Sequence, residues 1–135
     1  MFTMLALLMP DAPDVPLEAL ETTLRELFGR NPGFTLEYET LPFKKTPSII
    51  VRWPGWWVRL FLETGQKAID GARDIADILG DAAPVGLTQS DRRFRVVFYD
   101  DPGEDFINHM VEIMTMLEEI DGAVVFDPQQ NDLMR

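Results

Sequence analysis

VRWPGWWVRLFLETG, residues 51–65, holds all three tryptophans of the chain within five positions. Residues 48–53 and 56–63, on either side of Pro54-Gly55, are rich in β-branched and aromatic side chains, the composition of strands. Pro-Gly is a turn signal, but it favours a type II turn, whose twist suits a two-residue hairpin poorly; the register is therefore the open point. Pairing across Pro54-Gly55 puts Ile49, Val51, Trp53, Trp56, Val58, Leu60 and Leu62 on one wholly apolar face. The opposite face carries Ile50, Arg52, Trp57, Arg59, Phe61 and Glu63. Trp53 and Trp56 then belong to the core. Trp57 stands between Arg52 and Arg59 in a cation–π ladder, and it either covers the second face or anchors a partner.

Working outward, residues 2–9 are apolar on both faces, the pattern of a central strand buried on both sides. Asp14 and Pro16 predict the start of a helix in which Leu17, Leu20, Leu24, Leu27 and Phe28 repeat at helical spacing, with Gly29 as its stop. Phe34, Leu36 and Tyr38 alternate with Thr35, Glu37 and Glu39 as a half-exposed strand, followed by the loop LPFKKTP. A second helix over 65–80 buries Ala68, Ile69, Ala72, Ile75, Ala76 and Leu79 and places Asp70, Asp74, Asp77 and Asp81 opposite. A strand over 93–99 and the turn DDPGED lead to a third helix over 104–120, built on Phe106, Met110, Ile113, Met114, Leu117 and Ile120. Glu104 and Asp105 are expected in its first turn, where the helix dipole favours negative charge. A last strand spans 123–126, and the polar tail 127–135 is expected to be loose. The order predicts a single α+β domain over 1–135. Its architecture is a two-layer sandwich, with three helices on a mixed or antiparallel sheet, elaborating a ferredoxin-like plan.

Composition narrows the function. The chain has 135 residues, 46% of them hydrophobic, enough for a core. Its 23 acidic against 12 basic residues give a net charge of −11, which opposes binding to nucleic acid or to an anionic membrane and suits a basic protein partner. There is no cysteine, so disulfides, zinc–thiolate sites and thiol catalysis are excluded. The apolar start MFTMLALLMP has no basic residue and reads as a strand rather than a signal peptide, placing the protein in the cytoplasm. No phosphate-binding glycine motif is present, and the acids of DDPGED do not have the spacing of a calcium loop, so no cofactor or metal is expected. His109 sits at the edge of the third helix's apolar face, and no nucleophile-elbow sequence brings Ser48 or Ser90 to it.

The C-terminal stretch DRRFRVVFYDDPGEDFINHMVEIMTMLEEIDGAVVFDPQQNDL ends a strand–helix–strand unit in an FDP turn. Through Phe106, Asn108, Gly122, Phe126, Asp127 and Pro128 it resembles small bacterial immunity proteins of polymorphic toxin systems. That resemblance implies a non-enzymatic inhibitor that occludes a cognate toxin, and it carries over no binding residues. From the residues themselves, the candidate partner-binding set is Asp70, Asp74, Asp77 and Asp81 for electrostatic steering, with Arg52, Trp57 and Arg59 as the anchor. Two alternatives stay open: a small-ligand or homodimeric regulatory module pairing through the Arg52/Trp57/Arg59/Phe61 face, and a carboxylate-dependent enzyme.

Overall fold

The computed structural model describes residues 1–43 and 46–134, so Lys44 and Lys45 of the LPFKKTP loop and Arg135 of the tail lie outside the described residues. The elements are β1 (Phe2–Leu8), α1 (Leu17–Phe28), β2 (Thr35–Glu39), β3 (Ser48–Trp53), β4 (Trp56–Thr64), α2 (Gln66–Leu79), β5 (Arg92–Phe98), α3 (Ile107–Glu118), β6 (Ala123–Asp127) and β7 (Asp132–Leu133). Short 3-10 turns at Gly80–Ala82 and Leu87–Gln89 link α2 to β5.

The tryptophan hairpin settles its register at the turn. Trp53 faces Trp56 directly, with Val51 opposite Val58 and Ile49 opposite Leu60. Gly55 takes φ +86°, the left-handed backbone that the third position of a type II turn requires and that a side chain would resist. The apolar face is therefore the one expected. Trp53 and Trp56 are 5% and 2% exposed. Their indole N–H groups are satisfied, Trp56 donating to the Tyr99 carbonyl at 2.9 Å and Trp53 to Asn31 Oδ1 at 3.4 Å. Around them an aromatic cluster assembles. Phe106 stacks on Trp56 at 5.0 Å, Phe28 meets Trp53 edge-on at 5.1 Å, and His109 lies 4.8 Å from Trp53.

The strands form one antiparallel sheet in the order β2-β3-β4-β5-β1-β6-β7. Within it, β4-β5-β1-β6 with α1 and α3 on one face reproduces the split β-α-β plan expected from the sequence. β2 and β3 extend one edge, and β7 extends the other. β1 sits among neighbours on both sides, and Met4 to Leu8 are all buried, as its unbroken apolar run requires. The first face packs Met4, Val51, Trp56, Val58, Leu60, Phe94, Val96 and Phe98 against Leu20, Leu24 and Phe28 of α1 and Ile113 and Leu117 of α3. Among the described residues, the second face is covered by a helix at one end, where Ala72 and Ile75 of α2 and Leu87 close over Leu5, Leu7 and Phe126. The α+β sandwich thus carries a partial extra layer.

Several local expectations change in the folded chain. Asp14 does not cap α1; its carboxylate pairs with Arg92 at 2.6 Å, and the Arg92 guanidinium also gathers the Met9 and Ala12 carbonyls. α3 starts at Ile107, so Glu104 and Asp105 precede it. No side chain caps α3; Asp101 instead orders the turn before it, accepting the backbone N–H groups of Asp105 and Phe106 at 3.0 and 2.8 Å. Leu27 falls outside the core at 41% exposed, whereas Met116 enters it. The polar tail is tied down over its described residues. β7 pairs with β6, and Gln129 brackets the Thr3 backbone, accepting its N–H and donating to its carbonyl. The buried Asp127 carboxylate orders that turn by accepting the N–H groups of Gln129 and Gln130.

The two adjacent tryptophans should respond very differently to truncation. Trp56→Ala is expected to lower the free energy of unfolding by about 3–5 kcal/mol. Trp57→Ala is expected to lower it by about 1 kcal/mol, the scale of its ring contacts. Urea denaturation of both variants checks this.

Candidate functional site

Beyond the cover of α2, the second face of the sheet continues as an open surface built by β2, β3 and β4. Register alone assembles it: Thr35, Arg52 and Trp57 lie in one cross-strand row, and Glu37, Ile50 and Arg59 in the next. The half-buried Trp57 ring is stacked at 5.1 Å and 19° on Tyr99, which is 42% exposed. On its own strand, the Arg59 guanidinium lies 4.7 Å from the Trp57 ring centre. Both arginines are already engaged by carboxylates of β2, Arg52 with Glu37 at 3.3 Å and Arg59 with Glu39. The structure therefore brings Arg52, Trp57 and Arg59 together as one rigid aromatic surface with a balanced charge.

The aspartates are placed differently. Asp70, Asp74 and Asp77 are exposed on α2, over the other end of the same face of the sheet. Asp81 belongs to the 3-10 turn beyond the helix. Asp70 accepts a hydrogen bond from Gln66 at 2.7 Å. None of the four forms an ion pair among the described residues: Lys67 turns to Glu63, and Arg73, exposed on the same helix, pairs with none of them. α2 thus presents Asp70, Asp74 and Asp77 outside ion pairs, with Arg73 as the exposed cation beside them, while the Trp57 surface has neutralised its own.

Beneath α2 lies a group that the sequence reading placed on the correct face but did not assemble. Glu63, buried on β4, sits opposite Arg93 of β5 and accepts from Arg93 Nε at 2.9 Å and Arg95 Nε at 3.0 Å, with Lys67 Nζ at 3.0 Å. Arg95 also covers the Phe61 ring at 4.2 Å. Burial alone raises the Glu63 pKa; hydrogen bonds from Lys67, Arg95 and Arg93 overcome it and hold the carboxyl down at about 2. The helix makes room for this cluster at Gly71, where a Cβ would lie 2.3 Å from Arg93 Nη1. The available signal was an acidic residue late in β4 together with the Arg-Arg-Phe-Arg run of β5, which becomes legible only once those two strands are known to pair.

Elsewhere, Tyr38 ties β2 to α1 by donating to Glu21 at 2.8 Å; burial and that carboxylate push the Tyr38 hydroxyl up to about 12. His109 lies among Phe28, Trp53 and Phe106. The two serine hydroxyls donate to backbone carbonyls, Ser48 to Glu39 and Ser90 to Leu8, so these three residues do not form a catalytic triad. Among the described residues no three metal-ligating side chains converge, and no helix is long and apolar enough to cross a membrane. Compared with known proteins, the chain matches no family model, and neither a curated protein nor a solved structure matches it.

The buried cluster predicts a specific acid response. A carboxyl held at about 2 against an ordinary 4.5 contributes stability that is complete above about pH 4.5 and lost as the pH falls through about 2. Glu63→Gln should cost about 3 kcal/mol at neutral pH and abolish that part of the acid dependence, as measured by denaturant melts from pH 7 to 2. A glycine-to-alanine change inside a helix ordinarily gains about 1 kcal/mol. Gly71→Ala should instead lose stability, because the new methyl must displace a guanidinium anchored to Glu63; the same melts decide the sign.

Proposed function

We propose that this chain is a non-catalytic, acidic binding protein, and specifically an inhibitor of the immunity type that covers a basic partner protein. The observation that carries the reading is the half-covered second face of the sheet. At one end α2 offers Asp70, Asp74 and Asp77, none in an ion pair among the described residues; at the other, the face lies open at the Trp57–Tyr99 stack. Uncompensated carboxylates steer and orient a basic protein during encounter. A rigid aromatic pair flanked by arginines is the composition of an interface anchor, because it gives large contact area for little side-chain entropy. The carboxylates of Glu37 and Glu39 hold Arg52 and Arg59 in place, which fixes the Trp57 surface before a partner arrives. The resemblance of residues 91–133 to immunity proteins supports the inhibitor form of this reading.

The test is purification of the protein with its stoichiometric partner from its native cells, followed by binding kinetics on the isolated pair. The expected partner is basic. Trp57→Ala should weaken the complex by about tenfold or more, chiefly through faster dissociation. Charge reversal at Asp70, Asp74 and Asp77 should slow association and flatten its salt dependence. A partner whose binding is indifferent to both sets of changes overturns the reading, as does a homodimer that Trp57→Ala dissociates.

A further inference from the structure

On the opposite side of the sheet from Trp57, α1 and α3 lie side by side without closing on each other. Two depressions of about 340 and 210 Å³ run between them and share Thr23, Met116 and Glu119 as lining. The cleft stays open because its walls are narrow: Ala19 and Thr23 on α1 and Thr115 on α3 stand where larger residues would interlock. Thr23 returns its hydroxyl to the Ala19 carbonyl at 3.3 Å, which removes a polar group from the lining. Leu27 and Val111, 41% and 50% exposed, flank the smaller depression, so two large aliphatic side chains are left facing water beside a buried methionine.

The rim has one sign. Glu112, Glu119 and Asp121 line the depressions, and Glu26 is exposed on α1 next to Leu27. None of the four forms an ion pair among the described residues. Arg25, the only cation on either helix, is taken by Glu21 at 2.9 Å.

We propose that the α1/α3 cleft is a docking groove for a basic amphipathic helix of a partner protein. Both walls are helices whose backbone groups bond internally, so the groove offers an incoming strand nothing to pair with; a helix brings its own backbone hydrogen bonds satisfied. The groove is as long as α1, whose 12 residues match about three turns of a partner helix. An apolar stripe on that helix meets Leu27, Val111 and Met116, and lysines or arginines beside the stripe meet the four carboxylates. The same carboxylates repel nucleic acid and anionic lipid, and a second copy of this chain would set one acidic rim against another. The groove is separate from the Trp57 surface, and its test is independent of the function proposed above.

The probe is a fluorescein-labelled synthetic peptide of about 12 residues, with leucines at helical spacing on one face and lysines elsewhere, titrated into the full chain by anisotropy. Saturable binding is expected, weakened about tenfold or more both by Leu27→Gln/Val111→Gln and by Glu112→Gln/Glu119→Gln, and unchanged by Trp57→Ala. Equal binding of a scrambled peptide of the same composition would reduce the effect to net charge and overturn the proposal. So would undiminished binding by both double variants, or loss on Trp57→Ala. Sedimentation that shows a dimer dissolved by Leu27→Gln/Val111→Gln would put a second copy in the groove and overturn it as well. If the aliphatic variant melts lower than the parent, the carboxylate variant, whose changes are at exposed positions, carries the test.

Discussion

Trp53 faces Trp56 across a two-residue turn, and the rest of the sheet takes its sense from that pair. Side chains alternate along a strand, so a slip of one residue would turn Val51, Val58 and Leu60 outward and bury Arg52, Arg59 and Glu63 against α1 and α3. The indole pair holds the register by filling the space between hairpin and helices, with Phe28, Phe106 and His109 packed around it. Gly55 lets the chain turn sharply enough for the pair to meet. Once β4 is placed, β5 pairs along its whole length and delivers Arg93 and Arg95 to Glu63, which in turn draws Lys67 of α2 toward the sheet.

This internal use of cations shapes the outside of the molecule. Among the described residues, Arg25, Arg52, Arg59, Lys67, Arg92, Arg93 and Arg95 are all held in ion pairs, and three of them surround the single carboxylate of Glu63. Burying such a cluster stabilises little by itself, because desolvation offsets much of the attraction. Its effect on the surface is larger. With these seven committed, Arg30 and Arg73 are the described basic residues left outside ion pairs, and the exposed sides of α1, α2 and α3 carry a surplus of carboxylates. The net charge of −11 is thereby displayed as acidic helix faces on both sides of the sheet. Both surfaces proposed for binding, the Trp57 end of the sheet and the α1/α3 cleft, lie next to such faces.

Much of this was legible from residue order. The two-sided apolar run of β1, the alternation in β2, the hairpin and the helical repeats of α1, α2 and α3 all follow from local periodicity, which depends only on neighbours in the chain. The helix ends read less well. Asp14 has the composition of a cap but is drawn to Arg92, and the acids expected in the first turn of α3 precede the helix, in a turn that Asp101 orders. Each outcome depends on a competing partner, or on a loop path that residue spacing does not reveal.

By itself, then, the sequence determined the α+β class, the apolar face of the hairpin, the burial of Trp53 and Trp56, and the acidic character of the molecule. These are properties of short windows or of composition. The tertiary structure decided the strand order, the meeting of Glu63 with Arg93 and Arg95, the stacking of Trp57 on Tyr99, and the exposure of Leu27 beside Val111. Each of those joins residues far apart in the chain, and Leu27 shows the physical reason plainly. Its helical spacing is that of a core residue, but whether such a position is covered depends on how closely a second helix approaches, and small side chains at Ala19, Thr23 and Thr115 keep α3 from closing over it.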